Sequence, residues 1–182
     1  MKSLYSAHPG EFVVGDYIQR AFENVHLWIP SKDDGIDFLV TDANNKRTVS
    51  LQVKYSRDYS ETNDSEFKSQ LKATGWWKLS RDKIAKSRAD YWVFVLKGFE
   101  MKAADFILIS PLELLQRLER IHAAGNTIQS YLWVTRKRRC WESRGLTRQD
   151  RLEIAEDRYS DVDRDFSQYL NNWGCVKAIN EE

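Results

Sequence analysis

Two short segments near the N-terminus, joined by a polar stretch, most limit what this chain can fold into. In the second segment, residues 48–56, apolar side chains alternate with polar ones: Val49, Leu51, Val53 and Tyr55 with Ser50, Gln52, Lys54 and Ser56. Alternation with period two predicts a strand that carries Gln52 and Lys54 on one face. Residues 33–40 predict the preceding strand, and residues 42–47 are rich in turn formers. The two segments therefore predict an antiparallel hairpin.

The predicted hairpin brings three chemically useful side chains together. Asp37 lies near the start of the first strand, and Gln52 and Lys54 lie near the end of the second. In an antiparallel hairpin these positions are neighbours. An acid, an amide and an amine on one sheet surface indicate a site for a metal ion and a water molecule. Asp34 is an alternative second ligand, although an Asp before a strand is commonly a turn former.

An amphipathic helix is predicted ahead of the hairpin. Val14, Ile18, Ala21 and Phe22 fall at helical spacing after Pro9, which suits a first turn. Glu11 lies on the same face, so its carboxylate is predicted to point inward. A buried carboxylate is costly unless it is paired or bound to a metal. Alternatively, Glu11 only stabilises the N-terminus of the helix through the macrodipole.

The remaining pattern predicts a mixed sheet flanked by helices. Strands are predicted at residues 25–29, 91–96, 106–109 and 128–134. Helices are predicted at residues 65–71 and 81–87, from Pro111 onward, and in two pieces within 147–173. This order predicts an α/β (α+β) fold with a central mixed sheet. A length of 182 residues favours one domain, 1–182.

These residues resemble the PD-(D/E)XK nuclease superfamily. Asp37 matches its first acid, Gln52-Val53-Lys54 matches its (E/Q)-x-K triplet, and Glu11 matches the helix glutamate of the Holliday-junction-resolvase-like and Mrr-like branches. The glutamine in the triplet looks most like Mrr-type restriction enzymes. The resemblance covers about residues 10–96 and implies a restriction-endonuclease-like core of order αβββαβ. Residues 97–182 would then form C-terminal strand and helix extensions.

The resemblance implies a metal-dependent DNA endonuclease, acting in restriction, phage defence or repair. Mg²⁺, or alternatively Mn²⁺, would be held by Glu11, Asp37, Gln52 and the Val53 carbonyl, while Lys54 would orient the attacking water. Most members of the superfamily carry an acid at the position of Gln52, so the glutamine leaves the metal site with one negative charge fewer. At ~4 Å that charge is worth about 4 kcal/mol at an effective dielectric near 20, before desolvation is subtracted. The alternative is a catalytically inactive nuclease-fold protein that acts as a DNA- or protein-binding module.

Charge is unevenly distributed along the chain. Residues 66–88 and 136–151 each carry seven Lys/Arg against two Asp/Glu, whereas residues 152–182 carry three against eight. This asymmetry predicts one basic face and salt-dependent binding of double-stranded DNA. The candidate phosphate contacts are Lys68, Lys72, Lys78, Arg81, Arg136, Lys137 and Arg138. Lys83, Lys86, Ser50 and Ser56 are further candidates. Trp76 and Trp77 are predicted either to stack on bases or to pack in a core or homodimer interface.

Composition excludes several other classes. No apolar run reaches the ~18–20 residues of a membrane span, and no signal-peptide core follows the N-terminus. The two cysteines, Cys140 and Cys175, form no CxxC pair, which favours a reducing cytoplasm. The histidines, His8, His26 and His122, have no metal-ligand spacing.

Overall fold

The computed structural model describes residues 8–32, 34–56, 67, 69–97, 104–122 and 124–180. Its strands are β1 (Val25–Trp28), β2 (Phe38–Asp42), β3 (Thr48–Tyr55), β4 (Leu71–Ser80), β5 (Tyr91–Lys97), β6 (Ala104–Ile109), β7 (Thr127–Thr135) and β8 (Cys140–Glu142). Its helices are α1 (Pro9–Ala21), α2 (Arg81–Ala85), α3 (Pro111–Ile121), α4 (Arg148–Ala155) and α5 (Gly174–Asn180), with a 3-10 turn at Ser167–Tyr169. The predicted α/β class is confirmed.

The first sheet is mixed and contains the predicted hairpin. Its strand order is β1-β2-β3-β5-β6, and only the β3–β5 pair is parallel. β2 and β3 pair with Phe38 opposite Leu51. The turn between them is closed by Asp42, whose Oδ1 accepts from the Lys46 amide at 2.7 Å, and by Asn45 in the left-handed region at φ 56°. A short side chain with a carboxylate or amide suits both positions.

The second sheet overturns one prediction. β4 pairs with β7, and β7 pairs with β8. Residue 71 was predicted to end a helix, and residues 75–77 to separate two helices; all of them lie in β4. The sequence does alternate there, because Ala73, Trp77 and Leu79 are buried while Lys72 and Lys78 are exposed. Pairing with β7, a long-range contact, stabilises the strand despite Gly75.

The order of elements and the start of one helix also differ from the prediction. The predicted core order αβββαβ has only helix between its third and fourth strands, but here β4 precedes α2 in that connection. The second C-terminal helix, α5, begins at Gly174, beyond the predicted segment 147–173. The strands predicted at 91–96, 106–109 and 128–134, and the helices at Arg81 and Pro111, are confirmed with small shifts.

Both faces of β5 are buried, as its continuous apolar run predicts. Trp92, Phe94 and Leu96 face a core shared with the second sheet, α2 and α3. Val93 and Val95 face the opposite core, which α1 and α5 cover. A third cluster packs α4 on the second sheet through Ile154. Each fully buried side chain of this kind contributes ~1.5–3 kcal/mol, so β5 is central to the packing of the whole fold.

The lengths of the helices also bear on membrane crossing. None of the described helices is both long and apolar enough to span a lipid bilayer.

Candidate functional site

Asp37 lies just before β2, and its side chain continues the ladder to β3. The Asp37 amide donates to the Leu51 carbonyl at 2.8 Å, and the Asp37 Oδ2 accepts from the Val53 amide at 2.7 Å. On β3 the N–H and C=O of one residue point to the same neighbouring strand. The Val53 carbonyl therefore points to the edge where the Asp37 carboxylate lies. The Asp37 carboxylate and the Val53 carbonyl thus lie along the same edge of β3, at the residue between Gln52 and Lys54.

Gln52 and Lys54 line one cavity of about 470 Å³. The parallel pairing of β3 with β5 sets Gln52 beside Trp92. The Lys54 Nζ lies 4.6 Å from the centre of the Trp92 ring, a cation–π distance. The Trp92 Nε1 in turn donates to the Ser87 Oγ at 2.9 Å. The Lys54 ammonium is thereby held over a ring that is itself fixed in the core.

The cavity has a cationic rim. Its lining contains four cationic side chains and two acidic ones; the full lining is Asp34, Gly35, Gln52, Lys54, Asp82, Lys83, Lys86, Ser87, Arg88 and Trp92. An Arg88 nitrogen lies 3.0 Å from the Asp34 Oδ2 in an exposed ion pair. Exposed pairs of this kind are worth only ~0–1 kcal/mol. The excess of positive charge makes the cavity suited to an anionic ligand.

Glu11 is buried at the start of α1, with only 9% of its surface exposed. Its Oε2 accepts from the His8 amide at 3.3 Å and completes a capping box. The first turn of α1 lies against the end of β3, since a Cβ on Gly10 would lie 2.6 Å from the Tyr55 Cβ. Tyr55 belongs to the core opposite the cavity. The alternative role of Glu11, stabilising the helix N-terminus, therefore has a structural basis.

The structure brings together some of the predicted residues and separates others. Gln52 and Lys54 share the cavity, and Asp37 is bonded to the backbone between them. Neither Asp37 nor Glu11 is among the described residues that line the cavity. Asp34, which was predicted only as an alternative ligand, also lines the cavity. Arg88 and Trp92 line it as well, and neither was predicted as a site residue. Trp92 lies beside Gln52 because β3 pairs with β5, two strands that are distant in sequence. The residue pattern within β3 therefore could not identify Trp92 as part of the site.

Several predicted phosphate contacts are already engaged within the protein. The Lys72 Nζ lies 2.7 Å from the Oδ1 of Asp105, which is buried. The Arg81 guanidinium pairs with Glu119 at 2.7 Å and donates to the Gly125 carbonyl at 2.8 Å. These side chains connect elements of the fold. Lys78 is exposed on β4, and the prediction for Lys68 lies outside the described residues.

The second basic segment lies far from the cavity. Residues 136–138 follow β7, whose end pairs with the start of β4, whereas α2 follows the other end of β4. At ~3.3 Å per residue, the two ends of β4 are about 30 Å apart. The Arg136 Nε donates to the Ser69 carbonyl at 2.6 Å, Lys137 pairs with Asp157 at 3.4 Å, and Arg138 is exposed. The two basic segments therefore meet at the start of β4, while Lys83, Lys86 and Arg88, at the other end of the first segment, lie at the cavity.

The remaining candidates have structural roles. Ser50 donates to the Asp90 Oδ2 at 2.6 Å, and Ser56 donates to the Trp76 carbonyl at 2.9 Å; both serines are buried. Trp77 is buried, with its ring 5.0 Å from that of Phe94, so core packing is its role. His8 caps α1, His26 contacts Asn45, and His122 lies 3.4 Å from Glu142.

The oxygen donors near β3 fit a hard divalent cation. Mg²⁺ accepts carboxylate and carbonyl oxygens, keeps several waters and needs only one or two carboxylates. Asp37, the Val53 carbonyl and the Gln52 amide supply oxygens of this kind. The part of the chain that the structure describes contains no cluster of three or more His, Cys, Asp or Glu side chains arranged for a metal. A cation here would therefore depend on few protein charges.

Comparisons with protein-family models, curated proteins and solved structures found no match. Any function assigned to this chain accordingly depends on its own residues and on their geometry.

Proposed function

We propose that this chain is a metal-dependent DNA endonuclease with a PD-(D/E)XK site in a restriction-endonuclease-like core. The observation that carries the proposal is the bond from the Val53 amide to the Asp37 carboxylate. It joins the acid to the strand that presents Gln52 and Lys54 in one cavity. The helix α1, the β2–β3 hairpin and the parallel β3–β5 pair support the core assignment. The strand β4 would be an insertion into it.

Each residue has a role that its chemistry allows. Asp37, the Val53 carbonyl and Gln52 would hold Mg²⁺ or Mn²⁺. Glu11, in the first turn of α1, would hold the cation directly or through a water. The bound cation would activate a water and offset charge on the phosphate. Lys54 donates hydrogen bonds to the attacking water or to the phosphate oxygens that gain charge. Trp92 restricts the Lys54 ammonium to the cavity.

The cavity rim supports DNA as the substrate. Lys83 lies on α2, Lys86 directly after it and Arg88 two residues later; all three are exposed and line the cavity. Cations at this spacing contact backbone phosphates without reading base sequence. We therefore expect binding of double-stranded DNA with little sequence preference, in restriction, phage defence or repair.

A second candidate is a DNA-binding protein that has lost catalysis. Two observations favour it. Gln52 brings no charge to the site, and the Glu11 carboxylate is bonded within the capping box of α1. Binding would then depend on the cationic rim alone.

The test is incubation of supercoiled plasmid with purified protein in Mg²⁺, in Mn²⁺ and in EDTA. We expect nicked and linear products in either metal and none in EDTA. Lys54→Ala removes the ammonium from the cavity and should abolish cleavage. Lys46→Ala, an exposed lysine in the hairpin turn, is the matched control and should cleave like wild type. Salt-dependent DNA binding without cleavage in any metal would support the second candidate.

A further inference from the structure

The cavity beside Lys54 has the charge and the size of a site for a small anion. Its lining has four cationic side chains and two acidic ones, an excess of two positive charges. Its volume of about 470 Å³ lies within the ~300–1,000 Å³ that is usual for small-ligand sites. A DNA duplex cannot enter a space of this size, whereas a free nucleotide or the last nucleotide of a strand can. The cavity therefore suits a chain end or a small molecule.

We propose that this cavity binds a phosphomonoester, the phosphate of a strand end or of a free nucleotide. A phosphomonoester carries a charge of about −1.5 to −2 at pH 7, which matches the excess of the lining, whereas each phosphodiester of a DNA backbone carries a single charge. The inference rests on the proposed function for the origin of the ligand. Hydrolysis of a phosphodiester by water leaves a phosphomonoester on one strand end and a hydroxyl on the other, and the cavity would hold the phosphate end.

Trp92 fixes two hydrogen-bond donors in the cavity. The Ser87 Oγ accepts from the Trp92 Nε1 at 2.9 Å and from the Ala89 amide at 3.4 Å. A serine oxygen has two lone pairs, so these bonds leave its own O–H to donate to a ligand. The Lys54 ammonium, 4.6 Å from the centre of the Trp92 ring, is a charged donor in the same cavity. A phosphomonoester offers three strong acceptor oxygens to such donors.

The pair of Arg88 with Asp34 gives the proposal a test of sign. An Arg88 nitrogen lies 3.0 Å from the Asp34 Oδ2, with side-chain exposures of 71% for Arg88 and 44% for Asp34. An ion pair this exposed is worth only ~0–1 kcal/mol, whereas arginine forms strong, often bidentate, hydrogen bonds with phosphate. Arg88 would therefore exchange Asp34 for the ligand, and the Asp34 carboxylate would repel it. Removing Arg88 and removing the charge of Asp34 should then have opposite effects on affinity.

The experiment is calorimetric titration, in metal-free buffer, with deoxyadenosine monophosphate and with deoxyadenosine. We expect the nucleotide to bind about tenfold more tightly than the nucleoside, or better, a difference of about 1.4 kcal/mol. Arg88→Gln should weaken nucleotide binding by about tenfold, whereas Asp34→Asn should leave it unchanged or strengthen it. Lys46→Gln, which removes one positive charge outside the cavity lining, is the matched control and should bind like wild type.

Short duplexes distinguish the two sources of the phosphate. Three forms of one duplex carry a 5′-phosphate, a 3′-phosphate or only hydroxyl groups at their ends. Tighter binding of a phosphorylated form would identify a strand end as the ligand, and the preferred form would show on which side of the phosphate the strand is cleaved. Equal binding of all three forms, together with tight binding of the free nucleotide, would identify a free nucleotide.

Two outcomes would overturn the inference. In the first, wild type prefers neither the nucleotide over the nucleoside nor a phosphorylated end over a hydroxyl end. In the second, Asp34→Asn or Lys46→Gln weakens binding as much as Arg88→Gln does. Plasmid cleavage in Mg²⁺ tests the proposed function separately, because nucleotide binding is measured without metal. Equal thermal unfolding midpoints of the variants would show that altered binding does not reflect loss of fold.

Discussion

The Lys54 ammonium lies 4.6 Å from the centre of the Trp92 ring, on the cavity face of the first sheet. Their strands, β3 and β5, are parallel neighbours, and Trp92 is opposite Gln52, two residues before Lys54. The cation is therefore placed by a ring from a distant part of the chain. Trp92 is buried and Lys54 is half-buried, so this cation–π contact contributes about 0.5–2 kcal/mol as well as fixing the position of the ammonium.

This relationship predicts that Lys54→Ala separates activity from stability. Cleavage of plasmid should be lost, while the free energy of unfolding should fall by no more than about 2 kcal/mol. Mn²⁺ binding should be retained, because Lys54 supplies no oxygen ligand. Urea unfolding and calorimetry on the same preparation check these points. A large loss of stability would instead identify Lys54 as a structural residue.

Asp37 offers a pair of substitutions that distinguish its charge from its hydrogen bond. Asp37→Asn keeps an oxygen that can accept from the Val53 amide, whereas Asp37→Ala removes the acceptor. We expect both variants to lose cleavage and Mn²⁺ binding. Only Asp37→Ala should also lose stability, by about 1 kcal/mol, the usual net value of one hydrogen bond.

Plasmid cleavage, calorimetry and urea unfolding measure these effects for both Asp37 variants. Cleavage that survives in Asp37→Asn would contradict the assigned site.

The cationic rim predicts a specific salt dependence of DNA binding. A double variant, Lys83→Gln with Lys86→Gln, should weaken duplex binding in EDTA. It should also reduce the slope of log K against log salt by about two, because each phosphate that a lysine no longer neutralises lowers the slope by roughly one. The measurement is fluorescence anisotropy between low and moderate salt.

The matched control for the rim is Lys46→Gln with Lys177→Gln, two exposed lysines on the hairpin turn and on α5. It has the same change in net charge and should leave the slope unchanged. If both double variants changed the slope equally, binding would depend on net charge and not on the cavity.

The hairpin turn predicts a pH-dependent contribution to stability. Burial raises the pKa of the Asp42 carboxyl, but hydrogen bonds from the Lys46 and Arg47 amides and the Arg47 guanidinium outweigh it, so the pKa lies below its ordinary 3.8. The stabilisation is therefore fully present above about pH 4, and it is lost as pH falls through the folded-state pKa.

Asp42→Asn should accordingly lower the urea midpoint at pH 7. The gap between wild type and variant should narrow below about pH 4, as the wild-type carboxyl takes up a proton. Urea unfolding of both proteins across this range checks the expectation. A gap that stayed constant down to the lowest pH would show that the turn depends on shape and not on the charge of Asp42.

Sequence alone determined the local features of the site. The alternation in β3 sets Gln52 and Lys54 on one side of the sheet, because side-chain direction in a strand depends only on position along it. The turn formers at 42–47 determined the hairpin, and the hairpin brought Asp37 to Val53. The capping box of α1 likewise depends on residues three apart, His8 and Glu11.

Tertiary structure decided which side chains surround Lys54 and which cations line the cavity. Trp92 reaches Lys54 through the parallel β3–β5 pair, and Arg88 meets Asp34 across 54 positions of sequence. Long-range pairing also made β4 a strand, and this strand separates Lys83 and Lys86 from residues 136–138 by about 30 Å. Such contacts depend on how separate elements pack. The residue pattern within one strand or helix does not specify which other element lies beside it.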